Sequence, residues 1–161
     1  MMPEIRTLKE MQLIGKRLHM SFANNRTPEL WRSFMPRLQE IRNRIGKELY
    51  SAEVYPANFF QDYNVNNEFD KWAAVEVADK NVIPNGMEPL VFPSGLYAVF
   101  IHKGTPEKGA ETYRYIFMDW MPGSGYEVDS RPHFAVMGDK YKHNDESSEE
   151  EIWIPIKPKA N

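Results

Sequence analysis

Carboxylates and aromatic rings recur together on short segments, and a pocket for a flat apolar molecule is the chemistry this pairing offers. In EEEIWIPI (149–156) strand alternation puts Ile152, Ile154 and Ile156 on one face and Glu151 with Trp153 on the other. KWAAVEVAD (71–79) separates Ala73, Val75 and Val77 from Trp72, Ala74 and Glu76, and SAEVYP (51–56) keeps Glu53 with Tyr55. Tyr113, Phe117 and Trp120 follow at helical spacing, and Trp31 lies on an earlier helical segment. Ring faces stack on a ligand and attract positive charge, and a buried carboxylate neutralises it. The expected binding residues from this pairing are therefore Trp31, Tyr55, Tyr113, Phe117, Trp120, Glu151 and Trp153, lining a hollow on the sheet faces away from the helices.

Other chemistries find less support. The chain has no cysteine, which excludes thiol catalysis, disulfides and thiolate metal sites. His19, His102, His133 and His143 are scattered, with no i, i+4 pair, so core-edge or solvated histidines are expected and no metal. PGSGY (122–126) follows a helix instead of joining a strand to one, which makes it a turn and not a phosphate loop. No GxSxG is present. No cofactor is expected. The run NDESSEEE (144–151) is expected to be mostly a solvated loop.

The 20 basic residues nearly balance the 23 acidic ones, giving a net charge of −3 and no electrostatic footprint for nucleic-acid backbone. No apolar run reaches the roughly 18–20 residues of a membrane span, and the N-terminus lacks a signal peptide's apolar segment. The expected partner is a hydrophobic aromatic small molecule, with neither direct nucleic-acid nor membrane binding, and the expected compartment is the cytoplasm.

These residues must be positioned by strands and two helices. A strand is expected over 4–14, continuing past Gly15 over 16–22. A helix is expected from Thr27, its N-cap, with Leu30, Phe34, Leu38, Ile41 and Ile45 on one face, a kink or division at Pro36, and an end at Gly46. Strands follow at 50–56 and 71–79, then a turn-rich stretch at 81–95 and a strand over 96–104. A second helix is expected from a Thr105 N-cap with Pro106 after it, stopping at Pro122, and strands at 133–137 and 151–156 close the chain. The order strand, helix, strand, strand occurs twice. The expected fold is α+β: two duplicated antiparallel modules, about 4–80 and 88–158, each with one helix, in a single domain over 1–161 with a cleft between the halves.

PSGLYAVFIHKG (93–104), DWMPGSGYEVDSRPHFAVMGDKY (119–141) and EEEIWIPI resemble the GyrI-like small-molecule-binding domains. The resemblance spans about residues 4–158 and is more specific in the second half. Related domains form the effector-binding halves of some AraC-type regulators and the drug-binding half of a MerR-type multidrug regulator. The resemblance implies a ligand cleft between the repeats. With no helix-turn-helix segment to spare, a stand-alone member is expected, similar to a sub-group that includes cyclopropanoid hydrolases. Other relatives bind hydrophobic cations, and one is a gyrase inhibitor, which leaves an interaction protein as a further alternative.

The resemblance also implies a pocket glutamate, at the floor of that hollow, where this chain has Ala135, which adds Ala135 to the expected binding residues. An acid there would serve as counter-ion to a cation, or as base in a hydrolase, since a carboxylate in an apolar pocket has a raised pKa. Ala135 can do neither, whether it is a natural variant or a substitution introduced to trap a ligand. Glu53, Glu76, Glu151, Tyr55 and Tyr113 are the remaining candidates for chemistry, with none singled out as a base.

Overall fold

The computed structural model describes residues 2–79, 81–105, 108–142 and 145–160. Its strands are β1 (Glu4–Leu8), β2 (Met11–Ser21), β3 (Leu49–Val54), β4 (Glu68–Glu76), β5 (Glu88–Phe92), β6 (Gly95–Lys103), β7 (Tyr126–Val128), β8 (His133–Met137) and β9 (Glu149–Pro158). Eight of them form one continuous antiparallel sheet in the order β1-β6-β9-β8-β3-β4-β2-β5, and β7 pairs with the outer part of β9. The result is an α+β fold with a curled sheet.

Two of the expected boundaries move. The first strand breaks at Lys9–Glu10, and Gly15 lies inside β2, opposite Ala74 of β4 and Glu88 of β5. A methyl group at Gly15 would come within 2.7 Å of Ala74 Cα and closer still to the Ala73 carbonyl. The glycine therefore permits a close strand approach rather than a break. Gly15→Ala is expected to destabilise the fold by about 1–3 kcal/mol, as overpacking does in a filled core, measured by denaturant unfolding. β5 emerges from the stretch expected to be turns, because its apolar residues Leu90 and Phe92 are buried against β2.

The first helix is divided at Pro36. Helix α1 spans Thr27–Phe34, and a 3₁₀ turn, Met35–Glu40, carries the proline in its first positions. Proline lacks the N–H that would continue the α-helical ladder. The expected helix end at Gly46 is not reached, and Ile45 is exposed. Arg26, not Thr27, holds the N-cap position, while Asn25 Oδ1 accepts hydrogen bonds from the Thr27 N–H at 3.0 Å and hydroxyl at 2.6 Å. Leu30, Phe34 and Ile41 pack on Ile14, Ala73, Val75 and Val77.

The second helix starts at Gly109, after the expected Thr105 cap; Pro106 lies outside the described residues. It runs as α2 (Gly109–Arg114), a π-helical turn (Tyr115–Trp120) and a last turn, α3 (Met121–Gly123). Ile116 and Met121 pack on Ala98, Phe100, Ile152, Ile154 and Ile156, which is the isoleucine face expected beneath a helix. Both helical segments thus cover one face of the sheet. The other face is filled by Leu13, Tyr50, Trp72, Phe92, Tyr97, Val99 and Phe134, with Trp153 partly buried against them.

Candidate functional site

Register decides which side chains meet. On the helix-covered face, Ala135 of β8 lies beside Ser51 of β3 and Ile152 of β9, and Ser51 lies beside Ala73 of β4. Two small side chains, Ala135 and Ser51, therefore occupy the floor between the cores beneath the two helices. One row along, Glu53 lies opposite both His133 and Lys71.

Glu53 is the site's central charge. It is 8% exposed, its Oε1 lies 3.4 Å from Lys71 Nζ, and its Oε2 is buried without a hydrogen-bond partner. Burial pushes its carboxyl above the usual range, and the Lys71 ammonium pulls it back only in part. Glu150, on β9, is also raised by burial and drawn down by His102 and Lys71. Tyr55 and Tyr113 are both pushed well up, first by burial and then by the Glu53 charge, so their hydroxyls keep their protons. Burial lowers His133 to about 3, which leaves a neutral imidazole across the physiological range.

Aromatic rings enclose this group. Tyr55 meets His133 edge-on at 4.9 Å and packs at 4.6 Å against Phe59. Phe117, from the π-helical turn, and His133, from β8, both stack on Phe60, at 5.5 and 5.7 Å. Phe60 belongs to the β3–β4 connection, so that loop reaches over the sheet to the second helical segment.

Of the residues expected to line one hollow, the structure brings together Tyr55, Tyr113, Phe117 and Ala135, with Glu53. It separates the rest. Trp153 and Glu151 lie on the far side of the sheet. There the Trp153 ring stacks on Phe134 at 5.2 Å, carries the Arg6 guanidinium at 5.5 Å, and donates its Nε1–H to Glu151 Oε1 at 3.0 Å. Trp72 and Glu76 share that face by alternation. Trp31, on α1, meets Phe34 of the same helix edge-on at 6.0 Å and packs on the core beneath it. Trp120 turns to Phe100 and Tyr126, because the π-helical turn adds a residue to the helical repeat and rotates position 120 away from 117. The hollow on the helix-free face is thus corrected: that face is packed with the protein's own rings, and the polar cluster lies on the other. Ala135 is buried (7% exposed) and not an open floor.

No local pattern marks Lys71, Glu150, Phe60 and His133 as a group. Each is ordinary in its own segment, and only pairing across β3, β4, β8 and β9 joins them. His102 has a structural place: its ring bonds the Thr105 carbonyl at 3.0 Å and the Thr112 hydroxyl at 2.8 Å. His19 sits on the surface between Glu68 and Asp70. His143 lies outside the described residues. Among the described residues no helix is long and apolar enough to cross a membrane.

A curled antiparallel sheet with two helical segments on one face, and a buried acid–aromatic cluster between them, is the frame of a small-molecule-binding domain. The GyrI-like small molecule binding domain profile matches residues 1–157, and the chain belongs to that family. The transcriptional regulator BrlR of Pseudomonas aeruginosa is 28% identical over 145 residues, 89% of this chain; the chain spans about half (51%) of that regulator's length. Among solved structures, SAV2435 bound to tetraphenylphosphonium superposes with a TM-score of 0.71 at 17% identity, over 98% of this chain and 94% of that one. EcmrR in its DNA complex gives 0.73 at 16% identity, over 98% of this chain and 57% of that one. A hydrolase from Listeria innocua gives 0.60 at 12%, over 97% and 92%. These structural likenesses show the fold.

Proposed function

We propose that this protein binds a hydrophobic cation bearing flat aromatic rings between the two helical segments, and that it sequesters or detoxifies such molecules. The observation that carries this reading is Glu53, a buried carboxylate with one oxygen on Lys71 and the other unpartnered, enclosed by Tyr55, Tyr113, Phe60 and Phe117. An unpartnered buried carboxylate oxygen is costly, and a ligand cation relieves that cost. Glu53 and Glu150 together exceed Lys71 by one charge, which suits a monocation. The neutral His133 does not repel it.

The strand order supports the duplicated reading of the chain. Exchanging β1 with β5, β2 with β6, β3 with β8 and β4 with β9 reproduces the same sheet, with its centre between β3 and β8. The cluster lies at that centre. Glu53 then takes up from β3 the charge that the family resemblance assigns to position 135 on β8.

Calorimetric titration with tetraphenylphosphonium, the cation that SAV2435 holds, tests the reading against the neutral triphenylphosphine oxide. The cation is expected to bind more tightly. Equal affinities, or no binding by either, would sink it. Ala135→Glu adds a third carboxylate beside Glu53 and Glu150 and is expected to strengthen cation binding by about tenfold, a gain of the size seen for partly screened charges; an equal gain for the neutral compound contradicts the charge argument.

A second reading, addition of water to the cyclopropane ring of a DNA-alkylating compound, draws on the same cluster. A carboxylate raised by burial accepts a proton nearer neutrality, and protonated Tyr55 or Tyr113 can donate to a carbonyl oxygen that becomes anionic as the ring opens. Absence of turnover in both the natural sequence and Ala135→Glu, alongside retained cation binding, removes it.

A further inference from the structure

The loop between β3 and β4 carries adjacent phenylalanines in different situations. Phe59 is 5% exposed and packs against Tyr55, Phe22 and Phe69, at 4.6, 6.1 and 6.0 Å. It fastens the loop to the end of the sheet. Phe60 is 40% exposed, yet its ring lies 23° from the plane of Phe117 at 5.5 Å and 28° from that of His133 at 5.7 Å. Those partners come from different elements, so the Phe60 ring bridges helix and sheet beside Glu53. This is the stacked geometry that a flat aromatic ligand would need.

We propose that Phe60 is the resident occupant of the ligand's ring-stacking seat. Binding is then an exchange in which the incoming ring displaces Phe60 from Phe117 and His133. This inference rests on the Glu53 cluster being the binding site, and it adds what selects the ligand: a ring must stack there better than the protein's own. The loop is built for the exchange. Phe59 stays anchored while Phe60 leaves, and between them and β3 the chain turns at Asn58, whose left-handed backbone (φ 64°) an asparagine tolerates. The Asn58 carbonyl accepts hydrogen bonds from the Gln61 and Asp62 N–H groups at 3.1 and 3.3 Å, a local turn that does not depend on where the Phe60 ring sits. Exposed Phe22 and Tyr63 beside Phe59 offer the displaced ring an apolar surface nearby.

An internal competitor and a binding wall give opposite results when removed. In calorimetric and stopped-flow titrations with tetraphenylphosphonium, Phe60→Ala is expected to bind about tenfold more tightly and to associate faster, since the ligand no longer competes with the ring's contacts to Phe117, His133 and Tyr55. Phe60→Leu, which keeps apolar bulk without a ring, should fall between, and Phe60→Trp should bind more weakly than the natural sequence. In the natural protein the association rate should level off with ligand concentration, at the rate at which the ring leaves; in Phe60→Ala it should rise linearly. Weaker or unchanged binding by both Phe60→Ala and Phe60→Leu overturns the exchange while leaving the site intact. No binding by the natural sequence or any variant overturns the site as well.

Discussion

Replacing Glu53 by glutamine weakens tetraphenylphosphonium binding by about 100-fold and leaves the neutral triphenylphosphine oxide nearly unaffected: this is the expected result that discriminates most sharply. The magnitude follows from a unit charge about 6 Å from the carboxylate at an effective dielectric near 20, about 2.8 kcal/mol. Glutamine keeps the volume and can still accept from Lys71 Nζ, so the variant removes charge without opening a cavity. It also leaves Lys71 balanced by Glu150 alone, so the net negative charge that suits a monocation is gone. The pH dependence has a fixed sign. The folded-state pKa of Glu53 is raised, so affinity should climb as pH rises through that value and the carboxylate ionises. A flat pH profile, or a loss shared equally by cation and neutral compound, would place the binding energy in ring packing alone.

Acid should destabilise the fold through His133 before the bulk of the carboxylates titrate. Its imidazole is lowered to about 3 by burial, against about 6.5 in an unfolded chain. Between those values the unfolded state binds the proton and the folded state does not, so stability is complete above 6.5 and falls on acidification. The loss is roughly 1.4 kcal/mol for each pH unit, or about 4 kcal/mol by pH 3.5. Glu53, on β3, faces His133 on the neighbouring β8 and acts in the opposite sense, because a raised carboxyl pKa favours the folded state as the group protonates. The comparison that isolates the histidine is therefore the difference between the natural protein and His133→Leu, followed by denaturant unfolding from pH 7 to 4. The natural protein should lose stability over that range faster than the variant. Parallel curves for the two would show that the imidazole accepts a proton inside the fold without penalty.

Both expectations rest on a cluster that strand-by-strand reading could only half assemble. Alternation correctly divided 149–156 into an isoleucine set beneath a helix and a Trp153–Glu151 set facing away, and Ala73, Val75 and Val77 from Trp72 and Ala74. Pro36 was legible as the division of the first helix, since a missing N–H is a property of the residue. The assignment of Glu53 and Tyr55 to the same face as Trp153 was not secured by anything local. Alternation sorts each strand into two sets but leaves free which set of one strand shares a face with which set of the next.

The sequence by itself thus determined the mixed α+β character, the apolar faces, the family and the presence of paired acids and rings. Tertiary structure alone decided that Glu53 lies opposite both His133 and Lys71, that Trp153 belongs to the other side of the sheet, and that Phe60 reaches Phe117. The reason is one of range. Periodicity and turn chemistry act over a few bonds, whereas register between β3 and β8 joins residues some eighty positions apart, and it is fixed only when both helices and the loop over them pack at once.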